Sequence, residues 1–273
     1  MDDDSSLISS LEIRAFQNKV FTFYAMNKRD LPWRSTADPY KILVSEIMLQ
    51  QTQVPRVISY YERWIDAWPT IHDLAKASRK DVLKAWMGLG YNSRAMRLHQ
   101  AADIIATKFD GDVLKAMQYY KDVPGVGLYT SKAVRIFAAN QDVATVDTNI
   151  RRILIHEFDL SENIADSQLM MLAQRCLPTG KSRDWHNALM DYGSQVLTAR
   201  TTKISPKTKQ SRFEGSDRQI RAHLIRLLLQ QPCSFSELQQ QMQGTPQRVQ
   251  SIVEKLVDER LIQETNGVYT IKE

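Results

Sequence analysis

The chain has 273 residues, of which 43% are hydrophobic and 25% charged, and this length and balance predict a globular protein of two or three compact units. No run approaches the roughly 18 consecutive apolar residues of a membrane-spanning helix, so no membrane insertion is expected. The net charge of +5 suits a polyanionic partner without requiring one, because many proteins that never bind nucleic acid are as basic.

The N-terminus and the cysteines exclude further classes of protein. Residues 1–8 form an acidic tail without the basic and apolar parts of an export signal, so an intracellular, cytoplasmic protein is expected. The two cysteines, Cys176 and Cys233, are too few for a disulfide framework or a four-thiolate metal site. The five histidines show no metal-ligand spacing. We therefore expect two buried thiols and no metal cofactor.

Apolar residues recur at helical spacing through residues 9–198, which predicts an all-helical region of roughly ten helices. One of these helices contains Ile42, Leu43, Ile47 and Met48 and is apolar on most of its surface. Glu46 lies within it. Because a carboxylate is costly to bury among apolar groups, Glu46 is expected to face a cleft.

A helix-hairpin-helix is predicted at about residues 115–138, around Val123-Pro124-Gly125-Val126-Gly127. Two glycines let the backbone turn tightly and approach a neighbour, and the amides that open the next helix, near Thr130, can hold a phosphate oxygen. The pattern favours sequence-independent DNA binding. The same turn is also typical of any tight helix connection.

Asp147 follows an apolar run and precedes another predicted helix. Taken alone, it is typical of a helix N-cap. Together with Glu46 it forms a pair of carboxyl groups in different settings, which is what cleavage of a glycosidic bond requires. One carboxyl must protonate the leaving group, and the other must stay anionic to stabilise the cationic sugar.

A basic linker is predicted over residues 199–216, where the helical pattern stops. It carries five basic residues against the single acid Glu214, namely Arg200, Lys203, Lys207, Lys209 and Arg212. Two interpretations stay open: a solvated tether, or a strand that contacts phosphates through residues such as Lys203 and Lys207.

Residues 217–273 are predicted to form an α+β winged-helix domain. Three amphipathic helices are expected at 217–230, 236–243 and 246–259, followed by two strand-like runs around Asn266-Gly267, a strong hairpin signal. The third helix balances its basic residues with acids, so sequence-specific DNA reading is disfavoured. Dimerisation, partner binding and clamping of the DNA backbone remain alternatives.

Several motifs closely resemble those of MutY-type adenine DNA glycosylases, members of the helix-hairpin-helix glycosylase superfamily. They are Leu31-Pro32-Trp33-Arg34, Ser45-Glu46-Ile47-Met48-Leu49-Gln50-Gln51-Thr52-Gln53-Val54, Gly88-Leu89-Gly90-Tyr91, Pro124-Gly125-Val126-Gly127 and Val146-Asp147-Thr148-Asn149. The resemblance covers roughly residues 15–200 and implies an all-α glycosylase fold of two helical subdomains. It implies a DNA-repair enzyme that acts on double-stranded DNA with a mispaired or damaged base, in the cytoplasm or nucleoid.

The resemblance also implies roles for particular residues. Glu46 matches the general acid that protonates the adenine ring, and Asp147 matches the group that stabilises the sugar cation or a transient adduct. Tyr129 and Asn149 match residues that support them. Relatives that also cut the strand carry a lysine nucleophile at the position of Tyr129, so base removal without efficient strand cleavage is expected.

Four further residues match DNA-contacting positions of the family. Gln51 and Tyr91 match the residues that wedge into the duplex during base flipping, although a surface amide and a partly buried core aromatic are alternatives. Trp33 and Arg34 match the rim of the base pocket.

Two departures from the family pattern qualify these expectations. Leu197 stands at the first ligand position of the family's four-cysteine iron–sulfur cluster, and no cysteine follows before Cys233, so the cluster is expected to be absent. The predicted winged helix replaces the usual C-terminal domain that reads 8-oxoguanine.

Adenine opposite 8-oxoguanine or guanine is the favoured substrate. Thymine or uracil mismatches, and a catalytically silent DNA-binding or regulatory protein, are the alternatives.

Overall fold

The computed structural model describes residues 8–205 and 212–273. The chain divides into two compact units, Met1–Leu43 with Val126–Lys209 and Val44–Gly125 with Gln210–Glu273. None of the helices in the described parts combines the length and the hydrophobicity of a membrane-spanning segment.

The described residues are mostly helical. Their α-helices, in chain order, are α1 (Ser10–Asn27), α2 (Pro39–Leu49), α3 (Val54–Ala67), α4 (Ile71–Ala75), α5 (Arg79–Trp86), α6 (Ser93–Lys108), α7 (Val113–Gln118), α8 (Leu128–Ala139), α9 (Thr148–Glu157), α10 (Asp166–Arg175), α11 (Ser182–Gln195), α12 (Ala199–Thr202), α13 (Asp217–Gln230), α14 (Phe235–Gln240) and α15 (Pro246–Asp258). Short 3₁₀ turns occur at Pro32–Arg34 and Tyr120–Asp122. The strands are β1 (Cys233–Ser234), β2 (Ile262–Thr265) and β3 (Val268–Ile271). These strands all follow residue 198, and the helical prediction for residues 9–198 is confirmed.

Local side-chain bonds fix where many of these helices begin. At the start of α1 the Glu12 amide donates to the Ser9 hydroxyl at 3.2 Å, and the Ser9 amide donates to the Glu12 carboxylate at 2.8 Å. This reciprocal capping box satisfies two amides that the helix itself cannot pair. Asp112 and Asp147 cap α7 and α9 without the reciprocal bond, each accepting from one backbone amide of its helix.

The first unit has a continuous apolar core made by α1, α9, α10 and α11. Phe16 of α1 lies edge-on to Phe158 and Trp185, with ring centroids 5.2 and 5.4 Å apart. Such aromatic pairs add to the free energy gained from apolar burial alone. The core therefore supports α9 from several sides and fixes its N-terminus.

The second unit combines helices α3–α7 with the C-terminal elements. Trp64 and Trp86 are fully buried, with their rings 5.5 Å apart. At the C-terminus α13 packs on α15 and on β3. The three strands pair antiparallel in the order β1-β3-β2.

The predicted C-terminal hairpin is confirmed. Asn266 and Gly267 connect β2 to β3 with φ values of 52° and 75°, the two left-handed conformations that a tight two-residue hairpin turn needs and that these residue types favour. The two-residue strand β1 was not predicted, because so short a run has no detectable alternation.

The start of the predicted linker differs from the prediction. Residues 199–202 form α12, which Thr198 caps by accepting from the Thr201 amide at 3.2 Å, and Ile204 is 8% exposed within the core of the first unit. A good N-cap and a nearby apolar anchor explain why this segment is helical. Lys207 and Lys209 lie outside the described residues.

Candidate active site

Gly125 occupies the turn of the predicted hairpin and belongs to the second unit. Its φ is +76°, and an added Cβ would lie 2.9 Å from the Cβ of Arg97. Both the left-handed backbone and the close approach therefore require glycine. This agrees with the interpretation of the turn as a tight, close-packed connection.

The N-terminus of α8 follows, in the first unit. Gly127, its N-cap, and Leu128 are exposed, whereas Val126 and Thr130 are 8% and 3% exposed. Any phosphate contact at this helix start would therefore be made by the backbone near Gly127, where the helix dipole is positive, rather than by the Thr130 side chain. Tyr129 is partly exposed on the first turn.

Asp147 lies at the N-cap of α9. Its Oδ1 accepts from the Ile150 amide at 2.7 Å, and its Oδ2 accepts from the Asn149 side-chain amide at 3.1 Å. Burial raises the pKa of the Asp147 carboxyl, although these hydrogen bonds and the positive charge of Arg152 act in the opposite direction. The arrangement gives a poorly solvated carboxylate whose orientation is fixed through both oxygens.

Asn149 is itself held in place, by Arg152. Arg152 Nη2 donates to Asn149 Oδ1 at 2.8 Å and to the Gly193 carbonyl at 2.9 Å, and its Nε donates to the Leu197 carbonyl at 2.5 Å. The guanidinium thus connects the end of α11 to the residue that orients Asp147. The structure brings Asp147 into direct contact with Asn149, one of the residues predicted to support it.

Glu46 lies on α2, where its neighbours along the helix are almost all buried. Val44, Ser45, Ile47 and Met48 are at most 2% exposed, whereas Glu46 is partly exposed. This is the expected pattern for one polar position that opens to solvent from an otherwise enclosed helix. The side chain also has interactions within the protein.

Gln51 and Tyr91, the two predicted wedge residues, share an unusual backbone. Gln51 follows α2 with φ +56°, and Tyr91 precedes α6 with φ +51°. Non-glycine residues rarely adopt this left-handed conformation, and it concentrates at functional sites. Gln51 is exposed and Tyr91 partly exposed.

One buried guanidinium, that of Arg94 in α6, connects these two segments. Both terminal nitrogens donate at 2.6–3.3 Å. The acceptors are the carbonyl oxygens of Ile47, Met48, Gln50, Leu89 and Gly90 and the hydroxyl of Thr52. Burial lowers the pKa of Arg94 to about 10, so the group stays charged at neutral pH and pairs with the last carbonyls of α2.

Replacing Arg94 with Met is expected to lower the free energy of unfolding by about 3 kcal/mol, because several buried carbonyl groups lose a charged donor. Arg94→Lys should not restore it, since an ammonium cannot reproduce the planar fork. Urea titration measures the change, and exposed Arg97→Met on the same helix serves as the control, with a change within about 0.5 kcal/mol. Equal stability of Arg94→Lys and the parent would show that the planar guanidinium is not needed to bind these carbonyl groups.

Comparison with known proteins gives the family. A model described as "HhH-GPD superfamily base excision DNA repair protein" matches residues 44–179. The adenine DNA glycosylase of Mycolicibacterium smegmatis is 33% identical over 270 residues, which cover 90% of this chain and 92% of that protein. The chain belongs to the adenine DNA glycosylase family.

Other similarities agree with this family membership. The human adenine DNA glycosylase is 38% identical over 200 residues, and the match spans 68% of this chain but 37% of the human protein. A thermostable thymine-DNA glycosylase of known structure is 30% identical with a TM-score of 0.65, covering 72% of this chain and 91% of that one. An endonuclease III–DNA complex shares the fold at 17% identity, with a TM-score of 0.63 and coverage of 74% and 91%.

In this member of the adenine DNA glycosylase family, Arg34 belongs to a buried ion-pair cluster. Its Nη1 and Nη2 donate to the two carboxylate oxygens of Asp191 at 2.8 and 2.9 Å, and Arg29 Nε donates to the same carboxylate at 2.6 Å. Neighbouring Trp33 is 8% exposed. Arg34 thus has a structural role beside its predicted place at the pocket rim.

Asp191→Asn is expected to destabilise the protein by about 3 kcal/mol, because two guanidinium groups lose their buried counterion. Burial alone would raise the pKa of Asp191, but hydrogen bonds from Arg34 and Arg29 outweigh it and lower that pKa. The stabilisation is therefore present above the unfolded-state pKa and lost as the pH falls through the folded-state pKa.

Urea titrations across acidic pH check both points. The acid-dependent part of the stability loss should shrink in Asp191→Asn. Asp217→Asn, which removes the carboxylate of a largely exposed pair with Arg248, serves as the control and should change stability by no more than about 1 kcal/mol. Equal effects of the two variants would show that the buried Asp191 cluster contributes no more to stability than an exposed ion pair.

Two lysines of the first unit have different settings. Lys132, on α8, donates its ammonium group to the Ala144 carbonyl at 3.0 Å, and burial lowers its pKa. Lys203 ends α12 with φ +60° and is exposed, as a phosphate-contacting side chain should be. Among the described residues, no cluster of three or more His, Cys, Asp or Glu side chains could hold a metal ion.

The sequence analysis missed two positioning arginines, one in each unit. Arg94 contacts Tyr91 and Arg152 contacts Asn149, two residues with predicted roles. In the sequence, both arginines have the pattern of ordinary helix residues. A signal was available for Arg94: it falls among the buried positions of an amphipathic helix, together with Ala95 and Leu98. A charge at such a position needs several partners.

Proposed function

We propose that this chain is a monofunctional DNA glycosylase of base excision repair that removes adenine mispaired with 8-oxoguanine or guanine in double-stranded DNA. The observation that carries the proposal is the Asp147 carboxylate, oriented through both oxygens at the start of α9. Membership of the adenine DNA glycosylase family indicates adenine as the base that is removed. A catalytically silent DNA-binding protein would not need a carboxylate that is held in a poorly solvated position at an energetic cost.

The proposed reaction divides the work between two carboxyl groups. Glu46 donates a proton to a ring nitrogen of adenine, so that the bonding electrons of the glycosidic bond leave with a neutral base. The sugar becomes cationic, and the Asp147 anion stabilises it electrostatically. Poor solvation of Asp147 strengthens this attraction. Water then adds to C1′ and loses a proton, which leaves an abasic site.

Base flipping is assigned to the residues with left-handed backbone. Gln51 and Tyr91 fill the space that the flipped base vacates, since unstacking a base costs a few kcal/mol that an inserted side chain offsets. Trp33 and Arg34 line the rim of the base pocket. Gly125, Val126, Gly127 and Thr130 form the hairpin that holds the phosphates.

Absence of efficient strand cleavage rests on Tyr129 and Lys132. A lyase needs an amine that attacks C1′. Tyr129 stands at the lysine position of strand-cleaving relatives and has no amine, and the Lys132 ammonium is bonded to the Ala144 carbonyl. Tyr129 and Asn149 are proposed to support the acid and the anion.

The domain organisation is proposed as a glycosylase domain over residues 9–198, a basic linker over 199–216 and a winged helix over 217–273. The order β1-β3-β2, with three helices beside it, supports the winged helix. We further propose that the protein works without an iron–sulfur cluster, since two cysteines in the whole chain cannot supply four thiolates.

A thymine or uracil mismatch glycosylase is the second candidate. The specific observation in its favour is the similarity to the thermostable thymine-DNA glycosylase, at 30% identity. The more extensive match to the mycobacterial adenine enzyme, over 92% of that protein, favours adenine.

Single-turnover assays on a panel of duplexes test the proposal. The targets are A:8-oxoguanine, A:G, T:G, U:G and hypoxanthine:T, each analysed with and without alkali to separate base loss from strand cleavage. Fastest release from the two adenine pairs, with strand breaks only after alkali, is expected. Fastest release from T:G or U:G would establish the second candidate, and release from none would defeat the enzymatic proposal.

The basic linker supplies a further prediction. Replacing Lys203, Lys207 and Lys209 with Ala together should weaken DNA binding and reduce the slope of log affinity against log salt by about one for each lost phosphate contact. The control replaces Lys76, Lys80 and Lys84, a basic set of equal charge near α5. An unchanged affinity and slope in the linker variant would show that the linker is only a tether.

A further inference from the structure

Two guanidinium groups of the second unit lie close to the ring of Tyr91. The Cζ of Arg94 is 5.6 Å from the centre of its ring, and the Cζ of Arg218 is 5.4 Å from it. Arg218 Nη1 also donates to the Tyr91 hydroxyl at 3.0 Å. Cations at these distances attract the ring electrostatically, and the hydrogen bond fixes its outer end.

Arg218 comes from the C-terminal part of the chain, in the first turn of α13. Its guanidinium also lies 6.0 Å from the ring of Phe213 and donates to the Arg212 carbonyl at 3.3 Å. The arginine is therefore held by its own segment as well as by Tyr91. Its placement depends on how α13 is attached to the rest of the second unit.

A second arginine attaches other C-terminal residues to the rest of the second unit. Arg79, at the start of α5, donates through Nε to the Lys272 carbonyl at 2.7 Å and through Nη2 to the Arg260 carbonyl. Burial lowers the pKa of Arg79. The C-terminal elements are thus tied to helix α5 at one place and to Tyr91 at another.

We propose that Arg218 is a positioning residue for the wedge, so that the C-terminal segment takes part in opening the duplex by holding the Tyr91 ring in its inserting orientation. This inference rests on the proposed function, in which Tyr91 fills the space left by the flipped base. A ring fixed before binding loses less conformational freedom on insertion. Arg94 fixes the loop before Tyr91 through the Leu89 and Gly90 carbonyls, and Arg218 fixes the hydroxyl end of the ring.

An alternative role for Arg218 is direct contact with a DNA phosphate. The two roles differ in one measurable respect. A residue that acts only through Tyr91 has no effect once the Tyr91 side chain is gone, whereas a phosphate contact persists and adds its effect to that of Tyr91 loss.

A double-mutant cycle in stopped-flow fluorescence tests the proposal. The duplex carries 2-aminopurine beside an A:8-oxoguanine pair, and every protein carries Asp147→Asn so that base release is too slow to interfere with the opening step. Arg218→Ala should slow opening about tenfold, and Tyr91→Ala at least as much. The double variant should open the duplex no more slowly than Tyr91→Ala. Tyr91→Phe, which keeps the ring and removes the hydroxyl, should reduce the effect of Arg218→Ala.

Arg226→Ala, an exposed arginine on α13, is the charge-matched control and should open the duplex at the parent rate. Additive effects of Arg218→Ala and Tyr91→Ala, or equal slowing by Arg226→Ala, would overturn the positioning role while leaving the glycosylase proposal intact. Failure of the parent protein to open the duplex would instead defeat the proposed function, and this inference with it. Circular dichroism confirms that each variant is folded.

Discussion

Asp147→Asn is expected to slow base release by about 10³-fold in single-turnover assays, with DNA affinity within about threefold of the parent. The substitution removes the charge that stabilises the sugar cation and leaves the shape almost unchanged. Asn also caps helices well, so its oxygen can keep the bond from the Ile150 amide, which is 2.7 Å long in the parent. The loss should therefore appear in the chemical step rather than in folding or binding.

The matched control is Asp112→Asn. Asp112 caps α7 by accepting from the Lys115 amide at 2.8 Å, so the same substitution removes the same charge from the same kind of helix position. It should leave the rate of base release within about twofold of the parent. A rate for Asp147→Asn equal to that of the control would mean that Asp147 is only a cap.

The pH profile provides an independent check on Asp147. Burial raises its pKa, and the anion is the form that stabilises the sugar cation. Release should therefore fall as the pH drops through that raised pKa, at a higher pH than an ordinary exposed aspartate would require. Asp147→Asn should lack this acid-side decline, because Asn does not titrate.

Local signals in the sequence were sufficient for most of the fold. Helical periodicity predicted the helices of residues 9–198, and Asn266-Gly267 predicted the C-terminal hairpin with the required positive φ values. Both features depend on interactions within a few residues. Gly125 belongs to the same class, since its left-handed turn has a residue signature of its own.

Contacts between distant positions could not be predicted in this way. Arg34 was predicted at a pocket rim, yet both of its terminal nitrogens bind Asp191, which lies 157 positions further along the chain. Arg218 and Tyr91 are separated by 127 positions. A single sequence carries no record of such pairings, because each side chain alone is equally compatible with solvent exposure.

Helix α12 is a local feature that the sequence analysis nevertheless missed. Its position in a run of basic and polar residues favoured an irregular linker, whereas Thr198 and the buried Ile204 hold a short helix there. The two stabilising features are single residues, so they have no periodicity to detect. Burial of one apolar side chain was enough to override the local composition.

Glu46→Gln is expected to lower the rate of adenine release by about 10² to 10⁴-fold, because Gln cannot give a proton to the departing base. Gln has nearly the same size as Glu and retains hydrogen-bonding capacity, so the packing of α2 around Ile47 and Met48 should persist. Single-turnover rates on A:8-oxoguanine, together with DNA affinity and urea stability, separate loss of chemistry from loss of structure.

Two comparisons make this result specific to proton donation. Glu62→Gln, on the exposed side of α3, removes an equal charge and should leave the rate unchanged. A duplex with an N7-methylated adenine, whose ring is already cationic, needs no added proton, so the parent and Glu46→Gln should release it at similar rates. If Glu46→Gln slows the methylated base as much as adenine, Glu46 positions the substrate and another group supplies the proton.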